Sequence, residues 1–109
     1  MKNIQLTCAH ALIKYLIAQK TLIDGKKVPL FPGVFGIFGH GNVACLGQTL
    51  QENQKDLPTW RGHHEQNMAL TGIAFARAKR RKQIFVATSS VGPGSTNMLT
   101  AAAVAISNR

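Results

Sequence analysis

The sequence predicts an α/β domain built on a parallel sheet with flanking helices, and three observations carry that expectation. Val34-Phe35-Gly36-Ile37-Phe38 and Ile84 to Thr88 are short apolar runs without alternation, which is how strands covered on both faces read. Strand, glycine-bearing turn and helix alternate about three times, a pattern that calls for crossover connections and layered packing. The helix expected from Glu65 to Ala78 has Met68, Gly72, Phe75 and Ala76 on one face and Ala69 and Ile73 on another, so it needs cover on two sides.

In chain order, Leu6, Ala9, Ile13, Leu16 and Ile17 recur at helical spacing and place an amphipathic helix over Leu6 to Gln19, with Thr7 or Asn3 as its N-cap. Thr21 to Pro32 carries Asp24-Gly25, Pro29 and Pro32 and reads as a turn-rich connection. After the first strand comes the polar turn Gly39-His40-Gly41-Asn42, then a short helix from Val43 to Leu50. Gln51 to Asp56 is a polar loop, Leu57 to Trp60 a short strand, and Arg61 to His64 a turn leading into the Glu65 helix. The last strand runs into Ser89 to Asn97 and then a helix from about Thr96 to Ser107, with Ser95 or Thr96 as N-cap. That helix has no charged side. It needs cover on both faces, so the chain reads as incomplete at its C-terminus.

Composition narrows the function. At 109 residues there is room for one domain, and an apolar content of 45% is ordinary for a globular protein. Cys8 and Cys45 have no C-x-x-C spacing, which speaks against a disulfide framework or a zinc site and for free thiols in a reducing, cytoplasmic setting. No run of about 18 apolar residues is present, so no membrane partner is expected. The net charge of +9 and the run Lys79-Arg80-Arg81-Lys82 raise nucleic acid as a partner. However, cations at a helix C-terminus complement its dipole, and no aromatic platform for bases is interleaved with them. No nucleic-acid partner is therefore expected.

Three polar stretches fall at strand ends, where ligands bind in open α/β sheets: Gly39 to Asn42, Arg61 to Glu65, and Ser89 to Asn97. Gly92-Pro93-Gly94-Ser95-Thr96-Asn97 opens a helix and offers backbone N–H groups, but it is neither G-x-x-x-x-G-K-[ST] nor G-x-G-x-x-G. His63 and His64 are adjacent and have no third ligand at helical spacing, so no metal-binding residue is assigned. Glu65 is one of four acidic residues and the one placed where a polar turn enters an apolar helix. Taken alone it reads as a first-turn acid that complements the helix dipole. A dry neighbourhood would raise its pKa and the helix start would lower it, and both outcomes remain open at this level.

Phe38-Gly39-His40-Gly41-Asn42, His64-Glu65-Gln66 and Gly92-Pro93-Gly94-Ser95-Thr96-Asn97 together resemble the N-terminal, pyrimidine-binding domain of thiamine diphosphate-dependent enzymes. They match its strand-end glycine turn, its H-E-Q-type segment and its G-P-G-A-T-N turn, in order and in spacing. FPGVFGIFGHGNVACLGQ, LPTWRGHHEQNMA and KRRKQIFVATSSVGPGSTNM are most similar to the members of inositol catabolism that hydrolyse a C–C bond of a cyclic dione. His40-Gly41 stands where many relatives have a Tyr-Pro or Pro-Gly turn.

The resemblance implies a thiamine diphosphate-binding fold over residues 1–109, the first of three domains, with the central and diphosphate-binding domains lying elsewhere. It implies that Glu65 hydrogen-bonds the ring nitrogen of the cofactor's aminopyrimidine and favours its imino tautomer. It further implies that Gly39, His40, Gly41, Gly92, Pro93 and Asn97 line the cofactor pocket. The cofactors are then thiamine diphosphate and Mg²⁺, the ion being held by a Gly-Asp-Gly motif that these residues lack. The partners are a small cyclic dione and a second subunit, with the cofactor at the interface of a homo-oligomer. Acetohydroxyacid synthases and 2-oxoacid decarboxylases are the alternative members, and a non-catalytic basic binding or association module is the alternative class.

Overall fold

The structure is a computed structural model and describes residues 3–108. Helix α1 spans Cys8–Ala18. Its cap is Thr7 rather than Asn3: the Thr7 hydroxyl accepts the His10 backbone N–H at 3.2 Å. The same hydroxyl lies 2.7 Å from His10 Nδ1, and His10 Nε2 lies 3.0 Å from a Glu52 carboxylate oxygen, which fastens α1 to a later helix. Those contacts hold the Glu52 carboxyl below its usual range, His10 first and Gln48 next. Thr7→Ala removes the cap and should lower stability by about 0.5–2 kcal/mol. Thermal melting checks this, and an unchanged Tm would exclude a capping role.

The Thr21 to Pro32 connection is more ordered than expected. It is an antiparallel hairpin of β1, Lys20–Ile23, and β2, Lys26–Pro29, with Lys20 opposite Pro29 and Ile23 opposite Lys26. Asp24 and Gly25 form its two-residue turn at φ 49° and 75°, the positive values that match the twist of flanking strands. Asp-Gly is the usual signal for such a turn, but lysines interrupt the apolar alternation on either side.

The parallel sheet is present with three strands. Strand β3, Val34–Gly36, is central, between β4, Thr59–Arg61, and β5, Val86–Thr88, with Val34 paired to Thr59 on one side and Val86 on the other. Strand β4 starts two residues later than the sequence indicates. Leu57 is fully buried in the core, and Pro58 has no N–H to give a ladder, although its carbonyl accepts the Val34 N–H at 2.9 Å. Phe35, Trp60, Phe75 and Phe85 stack across the sheet with ring centroids 4.5–6.0 Å apart. Gly33 admits this cluster, since a Cβ there would lie 2.8 Å from the Phe85 ring and would strike Trp60. Beneath the sheet, Ile13, Val34, Leu50 and Leu57 form the core, with Leu16, Phe38 and Val86 packed against it.

The helix expected at Val43 to Leu50 divides into a π-helical turn, Val43–Gly47, and α2, Gln48–Glu52. The Gly47 N–H reaches back five residues to the Asn42 carbonyl at 2.8 Å. Helix α3 covers Glu65–Ala78, as the sequence predicts, and packs on β5 and on the last helix. The expected Thr96 to Ser107 helix is instead two: α4, Pro93–Thr96, and α5, Leu99–Ser107. Neither Ser95 nor Thr96 caps a helix. Their hydroxyls donate back to the Ser90 and Gly92 carbonyls at 2.9 and 3.1 Å, and Gly92, at φ 61°, precedes α4.

Helix α5 is covered on one side. Ala101 is buried against the domain while Leu99 and Ile106 face outward at 65% and 73% exposure. Part of the basic run is used within the fold: Arg81 donates to the Asn108 carbonyl at 3.1 Å, at the end of α5, and Lys79 sits 5.8 Å over the Phe75 ring. Among the described residues no helix is long and apolar enough to cross a membrane.

Candidate functional site

The start of α3 and the connection after β5 converge on one carboxylate. Glu65 is the first residue of α3, and His64 caps the helix by accepting the Gln66 N–H on Nδ1 at 3.2 Å. His63 and His64 are otherwise exposed. The capped start turns the Glu65 side chain inward, where it is 7% exposed. Two donors meet it there. The Asn97 amide, at the break between α4 and α5, donates to Oε2 at 3.3 Å, and the Ser90 hydroxyl, just beyond β5, donates to Oε1 at 3.4 Å.

Glycines let these segments approach. Gly94 is buried, and a Cβ there would strike Ser90 Oγ and lie 2.6 Å from Glu65 Oε1. Gly39, after β3, faces the same serine, since its Cβ would stand 3.0 Å from Ser90 Cβ. Thus Gly39, Glu65, Gly94 and Asn97 belong to one cluster. Gly92 and Pro93 form the exposed entry of α4 beside it, with Gly92 in the left-handed region. His40 and Gly41 are exposed on the outer part of their turn. Gly41 adopts φ 81° and its carbonyl accepts the Ala44 and Cys45 N–H groups, so its observed part is conformational.

The Glu65 carboxyl titrates below the ordinary carboxylate value. Its own backbone N–H at the helix start contributes most, the Asn97 amide next, burial opposes them, and Ser90 and the His64 imidazole add to the lowering. Of the two outcomes open from the sequence, the lowering prevails. At neutral pH this group is an ionised acceptor with free lone pairs.

Ser90 and Gly94 lie within the Ser89 to Asn97 stretch that the sequence places at a strand end, but neither is singled out there as a site residue. The available signal was the Ser89-Ser90 pair directly at a strand end. Cavities also lie elsewhere: one of about 520 Å³ is bounded by Cys8, His10, Cys45 and Gln48. Another of about 220 Å³ lies between Trp60, His64 and Asn67 on the outer side of α3. Among the described residues no group of three or more His, Cys, Asp or Glu side chains could hold a metal ion.

A parallel sheet with a buried helix-start glutamate, facing a glycine-rich turn across the strand ends, defines an α/β module whose candidate site lies beyond the carboxyl ends of its strands. The family described as "Thiamine pyrophosphate enzyme, N-terminal TPP binding domain" matches residues 32–109, well over half of the chain, and the chain belongs to that family. Among individual relatives, it is 51% identical to the 3D-(3,5/4)-trihydroxycyclohexane-1,2-dione hydrolase of Clostridium tetani and 53% identical to that of Geobacillus thermodenitrificans. The enzyme of that name from Bacillus thuringiensis is 50% identical. Each match covers 99% of this chain and 17% of the relative, so the chain spans about a sixth of the length of these enzymes.

Proposed function

We propose that this chain is the pyrimidine-binding part of a thiamine diphosphate-dependent hydrolase that opens the ring of trihydroxycyclohexane-1,2-dione in myo-inositol catabolism. The observation that carries the reading is Glu65, a buried, ionised acceptor at the strand ends whose two oxygens are already oriented by Asn97 and Ser90. Such a carboxylate fits the ring nitrogen of an aminopyrimidine when one proton lies between them, carried by the ring or by the carboxyl. When bound, thiamine diphosphate supplies a carbon nucleophile for the substrate carbonyl. The chain's own work is to hold that ring with Gly39, Gly92, Pro93 and Asn97, and to share one proton between the ring nitrogen and the Glu65 carboxylate. His40 and Gly41, on the exposed part of the turn that follows Gly39, are assigned to the same pocket.

The residues fit one half of the cofactor. Its diphosphate and Mg²⁺ are assigned to a further domain, because the Gly-Asp-Gly motif that would hold them does not occur in this sequence. In this reading residues 1–109 form the first, incomplete domain of a cytoplasmic homo-oligomer, with the cofactor between subunits and no nucleic-acid partner. The outward apolar side of α5, at Leu99 and Ile106, supports burial against another part of such an assembly. Assay of the full-length enzyme tests the substrate: turnover of the cyclic dione well above that of pyruvate is expected. The reverse preference would favour an acetohydroxyacid synthase or 2-oxoacid decarboxylase.

A further inference from the structure

We propose that Ser90 is a positioning residue for Glu65, its hydroxyl on Oε1 acting against the Asn97 amide on Oε2 to fix the plane of the carboxylate. The significance for catalysis rests on the reading of Glu65 given above. The geometry does not.

A carboxylate held by one donor can turn about its last side-chain bond, whereas donors on both oxygens remove that freedom. Each bond here is long for its type, so neither is a strong restraint alone, and it is the pair that defines the orientation. The serine is itself fixed from three directions. Ser95 Oγ donates to the Ser90 carbonyl at 2.9 Å, and Ser89 Oγ lies 3.1 Å from the same Ser95 hydroxyl. Gly39 and Gly94 close on its side chain from opposite segments, and a Cβ at Gly94 would occupy the space of the Ser90 hydroxyl. Two of the glycines in the cofactor-pocket motifs therefore make room for a protein side chain. A serine that served only to end β5 would not require that clearance.

The test is a carbon-13 NMR titration of the Glu65 carboxyl in this chain, wild type against S90A, with the Glu52 carboxyl, which Ser90 does not touch, followed in the same spectra. Loss of a donor to the ionised form should move the Glu65 midpoint upward while leaving that of Glu52, whose partners are His10 and Gln48, in place. A Glu65 midpoint unchanged in folded S90A overturns the proposal, even if Tm falls, because lost packing alone would lower Tm without moving the titration. Should S90A fail to fold, S90C keeps the volume with a weaker donor, and it must give the same upward movement or the proposal fails. The titration needs neither cofactor nor substrate. It therefore stands or falls separately from the catalytic reading, which turnover of Glu65→Gln in the full-length enzyme decides.

Discussion

Glu65→Gln in the full-length enzyme is expected to lower kcat by about a hundredfold to ten-thousandfold, the range over which positioned acid–base groups act. The substitution keeps the shape of the side chain and leaves an oxygen for Asn97 or Ser90, so the loss should come from the missing proton-sharing group rather than from misfolding. Steady-state kinetics beside a melting curve separates these causes. Near-normal turnover would remove Glu65 from the chemistry. The carboxyl also ties stability to pH. Its folded pKa is lowered, so ionisation favours the folded state above the ordinary carboxylate range, and that contribution is lost as pH falls through the lowered value. Glu65→Gln should therefore flatten part of the acid limb of the stability profile.

The second large effect is expected at Leu57, which is completely buried where the chain enters β4. Leu57→Ala removes a side chain from the cluster of Ile13, Val34 and Leu50 and leaves a cavity beside the central strand. Such changes cost about 2–5 kcal/mol. Against a total stability of about 5–15 kcal/mol for a domain, that is enough to leave a substantial unfolded fraction. Leu22→Ala, on the exposed side of the hairpin, should change stability by less than about 0.5 kcal/mol. Chemical denaturation of the two variants compares them directly, and similar midpoints would contradict this assignment of the core.

How much of this could be read from the sequence depended on how local the determinants are. Helix α3 is predicted at both ends because its start is marked by a polar turn and an acid and its end by cations. The parallel sheet followed from two apolar runs, and the grouping of Glu65 with the Gly92 to Asn97 turn followed from their place at strand ends. The hairpin of β1 and β2 was missed because it lies outside the main sheet and presents lysines where alternating apolar residues are the usual sign. The π-helical turn depends on backbone bonds that reach back five residues, from Gly47 to Asn42 and from Gln48 to Val43, which no periodicity encodes. The break between α4 and α5 lies at Asn97, whose side chain is engaged with Glu65, a contact between residues far apart in the chain. Ser90 escaped notice for the same reason: its role exists only once Gly39, Gly94 and Glu65 have been folded around it.

The central claim is that Glu65 governs proton movement on the cofactor. Its most direct measure is the rate at which bound thiamine diphosphate exchanges its acidic ring C–H for deuterium, followed by acid quench and NMR in the full-length enzyme. Glu65→Gln is expected to slow that exchange by about a hundredfold or more relative to wild type, with the cofactor still bound. Exchange at the wild-type rate in the loaded variant would contradict the account.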